Sequence, residues 1–262
     1  MRMPAIFVSH GAPTLAIESQ EPTHAFLQGL GKALPAKPRA ILCVSAHWES
    51  RQPTLGAAAQ PATIHDFYGF PEALYRIRYG APGDPALANQ VRDLLAAAGI
   101  EAALDDRRGL DHGAWVPLSL AWPEADVPVV QLSVQSARDA SHHVALGRAL
   151  APLREEGILV LGSGGATHDL RRASLGGRPD PSVPPDVRAF EEWLVSGVEA
   201  GATADLVAWQ ERAPYARENH PTPEHFLPLF VPLGAAPEGT KGRVLHRTFA
   251  YGALSMAAFA WD

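Results

Sequence analysis

Eleven histidines beside a single cysteine set this 262-residue chain apart. Several of the histidines recur in one setting, just past an apolar run. Ala5-Ile6-Phe7-Val8 opens into Ser9-His10-Gly11-Ala12-Pro13, and Ala40-Ile41-Leu42-Cys43-Val44 leads through Ser45-Ala46 to His47. Gly157-Ile158-Leu159-Val160-Leu161 leads through a glycine-rich stretch to His168. His112 stands in Leu110-Asp111-His112-Gly113-Ala114-Trp115, and His220-Pro221-Thr222-Pro223-Glu224-His225 closes the series. Imidazoles with no thiolate nearby are the ligands that borderline first-row metals prefer, so a metal site is the leading reading. A metal held by three groups on one face keeps positions open for a substrate and dioxygen together, whereas zinc on the same ligands would activate water for hydrolysis. The plainer reading is that these histidines satisfy backbone groups of loops around a dry core.

The elements that must position such a site are short, uninterrupted apolar runs, which read as strands buried on both faces of a mostly parallel sheet. In open α/β sheets ligands bind beyond the carboxyl ends of the strands, where these histidines fall. Phe26, Leu27, Leu30 and Leu34 carry helical spacing between the first two strands and make a βαβ unit with them. A helix is expected from Pro85 to Ala98, capped by Asp84 and closed by Gly99, with Leu87, Val91, Leu94 and Leu95 as its apolar stripe. Further strands are expected over Val127–Val134, over Tyr75–Tyr79 from its alternation, and near the end over Val244–Ala250 and Ala253–Ala260. Helices are expected from about Ser141 to Glu155, Val187 to Val198 and Ala204 to Arg212. Pro223 suits the first turn of another, from which Glu224 and His225 would point into a cleft. His142 and His143 fall outside the strand-end pattern and read as surface residues. Arg171 to Asp186, rich in polar, Gly and Pro residues, reads as an irregular flap. Aromatic His65-Asp66-Phe67-Tyr68-Gly69-Phe70-Pro71 reads as a pocket wall, with His65 and Tyr68 as its substrate contacts.

The glycine run Gly162-Ser163-Gly164-Gly165 is not a dinucleotide fingerprint, because Thr167 stands at the sixth position and no acidic strand end follows at the right distance. With 47% hydrophobic residues the chain can bury one large α/β core. A net charge of −6 with scattered Lys and Arg leaves no footprint for a nucleic-acid backbone or an anionic membrane, so a small-molecule partner is favoured. The amino terminus lacks a signal-peptide pattern and no run approaches a membrane span, which points to a cytoplasmic protein. Cys43, alone and inside a strand, reads as a buried, inert thiol.

The motifs around His10, His47, His65, His112 and His220–His225 occur in the order seen in the class III extradiol ring-cleavage dioxygenases, and the chain resembles the 4,5-DOPA extradiol dioxygenase branch of that family. The resemblance spans residues 9 to 229. It implies a single three-layer α/β/α catalytic domain over residues 1–262 with a mostly parallel or mixed sheet. It further implies that His10, His47 and His225 bind the metal, that His168 is the acid/base histidine, and that His112 lines the oxygen or substrate side. The third ligand is a glutamate in protocatechuate-cleaving relatives and a histidine in the DOPA-type branch; Glu224 and His225 offer both here, and the match of the whole stretch assigns His225. Where relatives often carry Asn after the acid/base histidine, this chain has Asp169. The implied activity is ring opening of a catechol with O2 on Fe(II), with Zn(II) able to occupy the same ligands. Arg76, Arg78 and Tyr68 are the side chains expected to read the substrate's tail. Two competing readings are a zinc hydrolase with Glu224 or His168 as base, and a non-catalytic binding module on the same scaffold.

Overall fold

Successive side chains of a strand point to opposite faces of a sheet, and in this chain both faces are apolar. The computed structural model describes residues 1–173 and 183–262. Its strands in chain order are β1 (Ala5–Ser9), β2 (Ala40–Glu49), β3 (Thr54–Gly56), β4 (Ala103–Asp105), β5 (Val129–Val134), β6 (Ile158–Gly164), β7 (Arg243–His246), β8 (Phe249–Ala250), β9 (Leu254–Ser255) and β10 (Ala258–Trp261). The helices are α1 (Pro22–Ala33), α2 (Glu72–Tyr75), α3 (Pro85–Ala97), α4 (His112–Ala121), α5 (Ala140–Leu150), α6 (Pro185–Ala200), α7 (Thr203–Val207), α8 (Trp209–Arg212), α9 (Ala216–Asn219) and α10 (Phe230–Ala235).

All strands but β8 and β9 join one sheet in the order β4-β3-β5-β2-β6-β1-β10-β7. The four central strands β5, β2, β6 and β1 run parallel, and both flanks turn antiparallel, at β3 against β5 and at β10 against β1. Ile6, Val8, Ile41, Cys43, Leu159 and Leu161 face a core shared with α1 and α4. Their neighbours Phe7, Leu42, Val44, Ile158 and Val160 face the opposite core, shared with α3, α5, α6 and α10. The fold is therefore an α/β/α sandwich around a mixed sheet, as the residue pattern and the resemblance both implied. Asp84 caps α3 by accepting from Leu87 N at 2.9 Å, and Gly99 closes it in the left-handed region at φ 77°.

Several local expectations are corrected. Tyr75–Tyr79 is not a strand: Tyr75 ends α2 and the rest is irregular. The burial alternates there, with Tyr79 inside and Arg76 and Arg78 outside, yet Tyr79 N–H donates to Thr63 Oγ1 at 2.8 Å rather than to a neighbouring strand. The helix expected over Ala204–Arg212 is broken at Ala208 into α7 and α8. The last two strands become four, because Tyr251 and Gly252 take positive φ and turn β8 and β9 into a separate ribbon. No α-helix starts at Pro223. Phe226 and Leu227 both donate to Pro223 O in a single turn, and the chain then tightens into a 3-10 turn over Leu227–Leu229, where Pro228 has no N–H to continue a helix. His143 is wholly buried and so is not the surface residue expected, while His142 is half-buried. The central residues of the expected flap, 174–182, lie outside the described residues.

Candidate active site

Because β2, β6 and β1 are neighbours in the sheet, their carboxyl ends bring His47, the turn carrying His168, and His10 to one place. His225 reaches them from a distant turn because β6 carries glycine at two positions on one face. A Cβ on Gly164 would lie 2.1 Å from His225 O, and one on Gly162 would lie 2.2 Å from Pro228 O. The bare backbone of β6 thus receives the 225–228 turn directly, and Gly165 N–H donates to His225 O at 2.8 Å. The amino end of α4 fits in the same way, since a Cβ on Gly113 would lie 2.5 Å from Ser45 Oγ and 2.9 Å from His47 Cδ2. Beneath it, fully buried Asp111 accepts from Ser45 Oγ at 2.6 Å and from Arg108 at 2.9 Å, and caps α4 through Ala114 N.

His47 Nε2 lies 3.1 Å from His10 Nε2 and 3.2 Å from His225 Nε2. The outer nitrogens have other partners. His10 Nδ1 is 3.0 Å from Ser163 Oγ. The Ser163 hydroxyl donates to the carbonyl of Gly113, so it accepts from His10, which therefore carries its hydrogen on Nδ1 and a lone pair on Nε2. His225 Nδ1 donates to Glu224 Oε1 at 2.9 Å, with the same consequence. His47 Nδ1 faces Asp66 Oδ2 at 3.7 Å. Burial pushes His10 and His225 far below the usual histidine range and His47 to about 3, so all three are neutral, the form a metal ion requires. His10 and His225 thus both turn an Nε2 lone pair to His47 Nε2, which can give a hydrogen to only one of them, whereas a cation among the three would satisfy all. Nitrogens each about 2.0–2.1 Å from one ion sit at about the spacing observed here. The donor set therefore fits a first-row metal.

Two further histidines border this set. His168 stacks on His225 with ring centroids 3.3 Å apart and planes 7° from parallel. His112, at the first turn of α4, lies 3.8 Å from His47 between centroids, and one of its nitrogens joins those of His10 and His47 in a group close enough to share an ion. Asp66 holds it, accepting from His112 N at 2.9 Å with the ring's Nδ1 3.0 Å away. Burial would raise the Asp66 carboxyl, but the His112 ring and backbone N–H beside it outweigh burial and hold the carboxyl below its usual range. Above the histidines opens a cavity of about 180 Å³ whose apolar walls include Phe67, Phe70, Leu254 and Met256, with His10, His47, His112 and His168 on its lining.

The expected pocket wall is present with different contacts. Phe67 and Phe70 line the cavity, while His65 turns to Ile77 O at 3.1 Å and Tyr68 is 90% exposed. Arg76 pairs with Glu72 and Arg78 donates to Tyr75 O at 2.7 Å; neither is on the cavity lining. Asp66 and Ser163 were not anticipated. Each sits in a motif that drew attention for its neighbours, Asp66 between His65 and Phe67, and Ser163 inside the glycine run.

A family model described as the catalytic LigB subunit of aromatic ring-opening dioxygenase matches residues 4–260. The chain is 46% identical over 256 residues to a 4,5-DOPA dioxygenase extradiol from Beta vulgaris, covering 97% of this chain and 94% of that protein. It is 43% identical over 238 residues to the protein of that name from Escherichia coli K12, covering 89% and 85%. The crystal structure of an uncharacterized protein from Escherichia coli K12 superposes with a TM-score of 0.83 at 36% identity over the whole of both chains.

Proposed function

The chain belongs to the LigB family of aromatic ring-opening dioxygenases, and from that premise we propose that it opens a DOPA-like catechol on Fe(II) held by His10, His47 and His225. That it is an extradiol dioxygenase follows from the family and its relatives; the substrate, the metal and the residue roles are our reading. The observation that carries it is the approach of three neutral Nε2 atoms at 3.1 and 3.2 Å beneath an apolar cavity.

Held by His10, His47 and His225, iron would supply Lewis acidity toward the catechol and the redox capacity for its reaction with dioxygen, a capacity that zinc on the same ligands lacks. His168, lowered to about 4 by burial, is neutral near pH 7 and is free to take a proton from a catechol hydroxyl and return it to a product oxygen. His112, held by Asp66, borders the oxygen or substrate side. Phe67, Phe70, Leu254 and Met256 hold the ring and exclude water. The ring carbon–carbon bond outside the diol breaks and both dioxygen atoms stay in the product, which gains a carboxylate and an aldehyde, so no further reductant is consumed. We read residues 1–262 as one catalytic domain and place it in the cytoplasm; no helix among the described residues is long and apolar enough to cross a membrane.

Anaerobic loading with Fe(II), followed by an oxygen-electrode screen of substituted catechols that includes L-DOPA, tests the proposal. Uptake of one O2 per catechol with the absorbance of a ring-opened semialdehyde is expected. Ester or amide hydrolysis without oxygen uptake would overturn it.

A further inference from the structure

The His168 ring stacks on His225, and its place is otherwise set by the backbone of its own turn. That turn is fastened from three sides. Ala166 N–H donates to Ser9 Oγ at 3.0 Å, and Thr167 Oγ1 accepts from Ser255 N at 2.8 Å. On the third side stand Asn219 and His220. Asn219 O accepts from His168 N at 2.8 Å, and His220 Nε2 donates to Ala166 O at 3.0 Å.

His220 is an unusual choice for this place. It is 3% exposed and boxed by Phe190, Trp209 and Phe226, with ring centroids at 5.3, 5.7 and 4.7 Å. Since a carbonyl only accepts, the hydrogen is on Nε2, and Nδ1 is buried with no partner among the described residues. Burial pushes the ring to about 3, so it stays neutral. An unpaired buried nitrogen is a cost, and an apolar ring would fill the box without it. What an apolar ring cannot supply is the hydrogen bond to the Ala166 carbonyl, two residues before His168.

We propose that His220 is a positioning residue for His168, acting through the Ala166 carbonyl to hold the 166–168 turn where the His168 ring meets the cavity. The inference rests on the acid/base role proposed above for His168. His220 is not on the cavity lining and is bonded to none of the three nitrogens of the metal set, so its effect falls on turnover rather than on binding. A displacement of about 1 Å in a reacting group is enough for a rate loss on the order of 10²-fold.

The test compares His220→Phe, which fills the box without a donor, with His220→Gln, whose amide can donate to Ala166 O. In His220→Phe, kcat for L-DOPA or 4-methylcatechol is expected to fall about 10- to 100-fold with KM and metal content unchanged. Deuterium exchange of the amides in the peptide carrying residues 165–169 should rise. His220→Gln should restore both towards the parent. Unchanged exchange and kcat in His220→Phe would overturn the proposal, as would loss of metal in step with turnover in both variants, which would make His220 a structural residue only. Absence of catechol turnover in the parent would fall on the dioxygenase reading, and the exchange comparison would still decide this one.

Discussion

His225 presents its Nε2 to His47 at 3.2 Å only because its Nδ1 hydrogen is taken by Glu224 Oε1 at 2.9 Å. On the proposed ligand set the adjacent residues divide the labour, His225 as ligand and Glu224 as the carboxylate that fixes its tautomer and raises its basicity. Groups that orient a ligand typically contribute 10- to 100-fold in metal affinity. Glu224→Gln is therefore expected to weaken metal binding by about 10-fold or more without abolishing it, measured by competition with a chromophoric chelator. Complete loss of metal would make Glu224 a ligand itself, and unchanged affinity would remove it from the site.

His168 is expected to separate from the ligand set. Stacked on His225 and lining the cavity, it is placed for the proposed proton transfer, which typically contributes about 10²–10⁴-fold. His168→Gln should keep its metal and lose turnover within that range. His47→Ala should lose the metal, and His142→Ala should lose neither. If His168→Gln purified without metal, the ligand assignment would have to include it.

The strand-end histidines were legible because a buried apolar run announces both a core strand and the end at which a site forms. His10, His47 and the turn to His168 all follow such runs. His225 is legible only through the motif around it, and the helix that Pro223 implies there does not form because Pro228 has no N–H to continue it. Asp66 is not legible from the sequence, since its meaning depends on His112, 46 residues away. Tyr75–Tyr79 shows the limit of periodicity, which reports alternate burial and says nothing about whether a neighbouring strand is there to pair. The run Gly162-Ser163-Gly164 is the end of β6, its glycines serving as a seat for another segment, which the residue types alone do not reveal.

That seat makes a specific demand. A methyl group on Gly164 would lie 2.1 Å from a backbone oxygen of His225, which no side-chain rotation can relieve. Gly164→Ala is expected to destabilise the protein by about 1–3 kcal/mol and to weaken metal binding as the His225 turn lifts. Gly29, inside α1 with nothing within 4 Å of its added Cβ, is the control. Gly29→Ala should stabilise by about 0.5–1 kcal/mol through helix propensity. Thermal melts and chelator competition on both variants check this, and equal metal affinity in Gly164→Ala and the parent would show that the turn does not rely on the bare strand.

His143 predicts how stability responds to acid. Its ring is wholly buried, donating from Nδ1 to Asp139 O at 2.9 Å and accepting at Nε2 from Gln135 N at 3.2 Å, so both nitrogens are engaged only when the ring is neutral. Burial lowers it to about 4, against about 6.5 in an unfolded chain. Between those values the unfolded state binds a proton that the folded state refuses, so stability rises with pH across the window. The contribution is complete above about pH 6.5 and is lost as pH falls towards 4, amounting to about 3 kcal/mol. His143→Gln removes the titration while keeping a donor and an acceptor. In urea titrations between pH 4 and 7, at one metal state, the variant's stability should therefore fall less steeply on acidification, by about one proton's worth. The other buried histidines titrate alike in both proteins and cancel in the comparison, so parallel curves would mean that His143 accepts its proton without unfolding.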